Sequence, residues 1–103
     1  MTPTARSLKH LRDQGYLAQV VEKWIPQAKR RVDLYGFIDI LAIKGGEVLG
    51  VQATSTSNIS ARVRKIQDHE NVDAVRKAGI GIVVHGWGKN AKGRHVLREV
   101  DVS

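Results

Sequence analysis

Cysteine is absent from the 103 residues, so neither a disulfide framework nor a thiolate metal site is available. Acids are scarce: ten Asp and Glu stand against seventeen Lys and Arg, for a formal charge of +7 and a pI near 10.2. An excess of that sign implies a polyanionic partner, most simply nucleic acid. No apolar run approaches the roughly 20 residues of a membrane span, and the first residues lack a signal peptide's apolar region. The expectation is a cytoplasmic protein with no membrane partner. Four histidines (His10, His69, His85, His95) show neither i, i+4 spacing nor a paired motif, which argues against a zinc site. No repeat or low-complexity segment is present, and the length predicts one domain with an adequate core.

Along the chain, Thr2-Pro3-Thr4 reads as a helix start. Leu8 and Leu11 share one face, and Gly15 stops a helix predicted over about 4–14. Tyr16 to Trp24 reads as one strand, broken by Pro26. Gln27 to Arg31 is then a basic loop or strand edge leading to Val32-Asp33-Leu34-Tyr35. After a hairpin, Ile59, Val63 and Ile66 form a helix stripe, and Val72, Val75 and Ala78 a second short helix closed by Gly79. Ile80 to His85 is apolar without alternation, as in a strand covered on both faces. Gly86 to Arg94 is a basic, glycine-rich turn, and His95 to Val102 alternates as a final edge strand. The order α-β-β-β-α-(α)-β-β, with a helical crossover into Ile80–His85, predicts an α/β fold with a central mixed sheet flanked by helices.

The chemistry concentrates between Gly36 and Thr54. Gly45-Gly46 lies between two β-prone runs, a hairpin signal that pairs Lys44 with Glu47 and, counting outward, Asp39 with Gln52. An ionised carboxylate in an apolar strand is expensive unless it is paired or bound to a metal. On that register Asp39 and Gln52 share one face and offer a carboxylate and an amide oxygen to a hard divalent cation. Asp33, near the strand entrance, is a further candidate ligand, and Glu22 on the preceding strand can supply charge if that strand neighbours Asp39.

Gly36-Phe37-Ile38-Asp39, a turn, then Val51-Gln52-Ala53-Thr54 resembles the core of the PD-(D/E)XK nucleases. The nearest branch is that of small Holliday-junction-resolvase-like and phage or bacterial VRR-NUC-type domains. There Gly-x-x-Asp on one strand is followed by Glu-x-Lys on the next and then by a helix. The resemblance covers about Val20 to His85. Gln52 stands where the family has an acid, and Thr54 where it has the catalytic lysine. The resemblance implies a restriction-endonuclease-like fold in α-β-β-β-α-β order over residues 1–103. It also implies Mg²⁺ or Mn²⁺ held by Asp39, Gln52 and Asp33, hydrolysis of phosphodiesters in branched or duplex DNA, a possible homodimer, and a bacterial or phage-infected cell. Asp39, Gln52, Thr54, Glu22 and Arg62 are the expected catalytic group. Arg62 and Lys65, on the helix after the motif, and Lys44, at the hairpin, are candidates for the missing cation. Lys29, Arg30, Arg31, Arg62 and Lys65 are expected to contact phosphates, and Trp87 with Lys89 to stack a base and hold its phosphate. Two other functions fit the same residues. One is a non-catalytic nucleic-acid-binding module on a degenerate nuclease scaffold; the other is a subunit that extends a partner's sheet through the C-terminal strand.

Overall fold

The computed structural model describes residues Met1 to Ser103. Helix α1 runs Pro3–Asp13, with Thr2 as its N-cap accepting the Ala5 N–H at 3.1 Å. Strand β1, Leu17–Val20, follows the reversal at Gly15. The single strand expected over 16–24 is in fact two. The chain leaves the sheet after Val21, and β2 (Lys23–Ile25) pairs instead with β3 (Arg30–Val32) as a separate two-stranded ribbon. The reason is local. Pro26 opens a turn closed by the Lys29 N–H on its carbonyl at 3.2 Å, and Lys29 takes a positive φ of 49°. Neither short strand has an apolar face with which to rejoin the sheet, and Trp24 remains 53% exposed.

A second tight turn follows at Tyr35-Gly36, both at positive φ, and it bridges Leu34 to Ile38. Gly36 is required there twice over: its φ is +92°, and a Cβ would stand 2.3 Å from His69 Nε2. Strands β4 (Ile40–Lys44) and β5 (Glu47–Ser55) then form the expected hairpin about Gly45-Gly46, in register from Lys44↔Glu47 to Ile40↔Val51. A 3₁₀ turn at Thr56–Asn58 leads into α2 (Ile59–Gln67), α3 (Val72–Lys77), β6 (Ile80–Lys89) and β7 (His95–Asp101). Strand β6 continues through Gly86-Trp87-Gly88, where a turn was expected. The glycines let the 3₁₀ turn and the start of α2 lie against the strand, since a Cβ on Gly86 would come within 2.2 Å of Ile59 Cδ1.

The sheet order is β1-β4-β5-β6-β7, parallel between β5 and β6 across the helical crossover and antiparallel elsewhere. The fold is thus α/β with a five-stranded mixed sheet and helices on both faces. Leu11 of α1 packs with Ile40, Ala42, Leu49, Val51 and Val83 on one face. Ile59, Ile66, Val72 and Val75 of α2 and α3 pack with Phe37, Ile38, Ile82 and Val84 on the other. Each fully buried aliphatic or aromatic side chain in these layers contributes roughly 1.5–3 kcal/mol of transfer free energy. With both faces covered, polar residues in the middle of β5 and β6 are carried inside: Gln52 is 1% exposed and His85 0%. No helix is long and apolar enough to cross a membrane.

A candidate acidic metal centre

The ladder between β4 and β5 stops at Ile40↔Val51, so Asp39 is not the regular partner of Gln52 that counting outward predicts. The Asp39 N–H donates to the Val51 carbonyl at 2.9 Å, one residue out of step, which is the offset of a β-bulge. The displaced residue turns its carboxylate back onto β5, where Oδ2 accepts the Ala53 N–H at 2.9 Å. The side chain thereby supplies the acceptor that the ended ladder no longer provides.

Asp33 and Glu22 come to the same place. Val32 is paired with Lys23 at the ribbon's last rung, so Glu22 and Asp33 are the next residues outward on its two strands. Acid oxygens of Glu22, Asp33 and Asp39 all lie within 4.8 Å of one another. Gln52 joins them: its Nε2 donates to Asp33 Oδ2 at 3.2 Å, while its Oε1 is buried with no hydrogen-bond partner. An unpaired buried carbonyl oxygen costs on the order of 1–3 kcal/mol. Asp39 is 4% exposed, and its pKa is pushed up to about 7, first by burial, then by its hydrogen bond to the Asp33 carboxyl and by the charges of Asp33 and Glu22, against the Ala53 N–H. Three acids therefore converge, with the Gln52 amide donating to one of them and its own oxygen left without a partner. That donor set suits a hard divalent cation, which binds oxygen largely through charge.

Two cations reach the cluster from outside. Arg31 Nη1 donates to Glu22 Oε1 at 2.9 Å, and Lys65 Nζ on α2 stands 3.7 Å from Asp33 Oδ2. Thr54 is buried two residues beyond Gln52 on the same strand but makes no hydrogen bond to the acids. Arg62, half-buried on α2, has no acidic partner, and Lys44 is committed to the Gln14 carbonyl at 2.6 Å on the far side of the hairpin. Lys29 and Arg30 are exposed on the ribbon.

Trp87 lies elsewhere. Alternation along β6 turns it toward α1, where its Nε1–H donates to Ser7 Oγ at 2.8 Å. Its indole N–H is thus spent inside the fold, whereas Lys89 is exposed at the strand's end. The tryptophan facing solvent is Trp24, which the sequence offers only as part of a strand. Ser7 Oγ also meets His85 Nδ1 at 2.9 Å, and His85 Nε2 meets Glu99 Oε1 at 3.2 Å. A neutral His85 with the proton on Nε2 satisfies this chain from end to end. Burial holds its pKa below the usual 6.5, with the Glu99 carboxylate opposing.

Compared with family models, with curated proteins and with solved structures, the chain matches none, so it is the geometry of the acidic cluster that speaks for its chemistry.

Proposed function

We propose that the chain is a small metal-dependent DNA nuclease of restriction-endonuclease-like architecture. The observation that carries this reading is the convergence of Glu22, Asp33 and Asp39 within 4.8 Å beside the unpartnered Oε1 of Gln52. Those four residues would hold Mg²⁺ or Mn²⁺. Bound there, the ion supplies an activated water and neutralises charge on a phosphate. Asp39 fixes the inner end of the site through Ala53, and Asp33 ties Gln52 to Lys65. Lys65 takes the part of the lysine that position 54 lacks, holding positive charge beside the acids where a scissile phosphate would develop negative charge. Arg62 precedes it on the same helix, and Lys29, Arg30 and Arg31 approach from the ribbon to meet flanking phosphates.

A second reading is a metal-free nucleic-acid-binding module. The two existing ion pairs favour it, because Arg31 and Lys65 already offset part of the acidic charge. Incubation with branched, single-stranded and duplex DNA in Mg²⁺, Mn²⁺ or EDTA separates the two. Cleavage that needs the metal and disappears in Asp39→Ala is the expected result. Binding without cleavage under every condition would leave the module.

A further inference from the structure

The ribbon at Lys23–Val32 stands apart from the rest of the fold. None of its residues belongs to either hydrophobic cluster, and all but Ile25 are exposed. Two lysines and two arginines occur in these ten residues with no acid, so a tenth of the chain carries more than half of its net charge of +7. Trp24 and Arg31 are direct cross-strand partners and share a face. An isolated two-stranded hairpin is marginal in water, and one that leaves Trp24 53% and Val32 40% exposed gains nothing from its own burial. A two-stranded ribbon fits the roughly 12 Å major groove of B-form DNA, whereas the deep, narrow groove of duplex RNA excludes it.

The ribbon is rooted in the acidic cluster, because Glu22 and Asp33 are the residues immediately outside its last rung. Beside that root, an open groove of about 500 Å³ runs between the first turn of α1, at Thr2, Thr4 and Ala5, and the Glu22–Arg31 pair. The Arg31 side chain is 67% exposed and Glu22's 13%. A pair open to solvent on one side is held weakly, while a phosphate offers a guanidinium two oxygens.

We propose that the ribbon is a duplex-DNA arm in which Arg31 exchanges Glu22 for a backbone phosphate lying in this groove, so that engaging DNA frees Glu22 for the acidic centre. The role given to the freed Glu22 rests on the nuclease reading; the arm and the exchange do not. Holding DNA and completing the acid set then become one event, since an end-on bidentate phosphate contact takes both Nη atoms of Arg31, and Nη1 is the one now bonded to Glu22. The coupling is reciprocal: a cation that binds Glu22 and so releases Arg31 must tighten DNA binding by the factor by which DNA tightens that cation.

The exchange is tested without metal, by measuring in EDTA the affinity for a short blunt duplex DNA, the same sequence as a single strand, and the corresponding duplex RNA. Arg31→Ala should weaken duplex-DNA binding and lower its log–log salt slope by about 0.9, the loss of one phosphate contact. Glu22→Gln should tighten it by up to about fivefold, the limit set by an exposed ion pair. The double variant should behave as Arg31→Ala alone, because with no arginine to release, the Glu22 change has nothing to act on. Trp24→Ala, which removes an uncharged neighbour of Arg31, should weaken duplex-DNA binding while leaving the salt slope unchanged. Equal tightening by Glu22→Gln with and without Arg31 would overturn the exchange, and equal affinity of the wild type for the two duplexes would overturn the arm. Manganese calorimetry on the DNA-free protein then judges the nuclease reading separately. Absence of Mn²⁺ binding in the wild type sinks that reading and leaves the EDTA results standing. Tighter Mn²⁺ binding in Arg31→Ala supports both.

Discussion

Each face of the sheet buries a polar cluster, and the two are built in opposite ways. Toward α1, Trp87, Ser7, His85 and Glu99 form a chain in which each donor meets an acceptor and His85 stays neutral. Near the other face, Glu22, Asp33, Asp39 and Gln52 gather acids against acids and leave Gln52 Oε1 without a partner. A satisfied network fixes a fold and asks for nothing more. An unsatisfied one in which acids outnumber their cationic partners stores unfavourable free energy that a ligand of opposite charge can release. Burial alone does not separate the two, since His85 and Gln52 are both essentially inaccessible; completeness of partnering does.

The comparison is tested hardest by exchanging what each cluster is expected to lose. Asp39→Asn keeps an acceptor for Ala53 but removes the charge. On the proposed nuclease function, metal-dependent cleavage should fall by at least the roughly 100-fold that loss of one positioned catalytic group costs, with folding stability unchanged or raised. Ser7→Ala should do the reverse. It leaves the Trp87 N–H without its acceptor and His85 Nδ1 without its donor, so urea denaturation should show a loss of about 1–3 kcal/mol with cleavage per folded molecule intact. If Ser7→Ala abolished cleavage at full stability, the two clusters would have to be relabelled.

Acidity separates them next, with EDTA present throughout. The folded pKa of His85 lies below its ordinary 6.5, so the unfolded chain takes up that proton first and stability falls as pH drops below 6.5. Asp39 has the opposite slope. Its folded pKa of about 7 exceeds the ordinary 3.8, so stability present below pH 3.8 is lost as pH rises through 7. In Asp39→Asn the Asp39 slope should vanish while that of His85, in the same direction as that of His95, remains, so the urea midpoint should fall steadily on acidification below 6.5. A midpoint that kept the wild-type pH profile would mean that Asp39 is ionised in the folded chain like any surface acid. The smallest effect is that of Gln52→Glu, which adds charge where an unpartnered oxygen now sits. Mn²⁺ titration should show several-fold tighter binding, paired with lower stability in EDTA.

How far the sequence reaches is clear from particular residues. Gly45-Gly46 fixes a two-residue turn, and with it the register from Lys44↔Glu47 to Ile40↔Val51, because turn length and side-chain period leave few alternatives. That register breaks at Asp39, where a one-residue offset depends on chain arriving from Tyr35-Gly36 and is invisible to counting. The ribbon is missed for a similar reason: Tyr16 to Trp24 has the composition of a strand, and only tertiary pairing shows that it serves two sheets. Lys65 is legible as a residue on the helix after the motif, but its approach to Asp33 is set by how α2 crosses the sheet. Trp87 could have been turned inward by carrying the β6 alternation past Gly86. Nothing local links Ser7 to His85, 78 positions away.

That separation carries a consequence for the order in which the chain can fold. The β4–β5 hairpin closes over neighbouring residues and can form in microseconds. The parallel pairing of β5 with β6 must wait for the crossover between Val48 and Ile80, and α1 has its polar anchor only when Ser7 reaches Trp87 across 80 positions. During synthesis at about 5–20 residues per second, α1 therefore spends several seconds without the strand that carries Trp87 and His85, the partners of Ser7. The Ser7 contacts of α1 thus form late, and substitutions at Ser7 should speed unfolding while leaving the folding rate nearly unchanged.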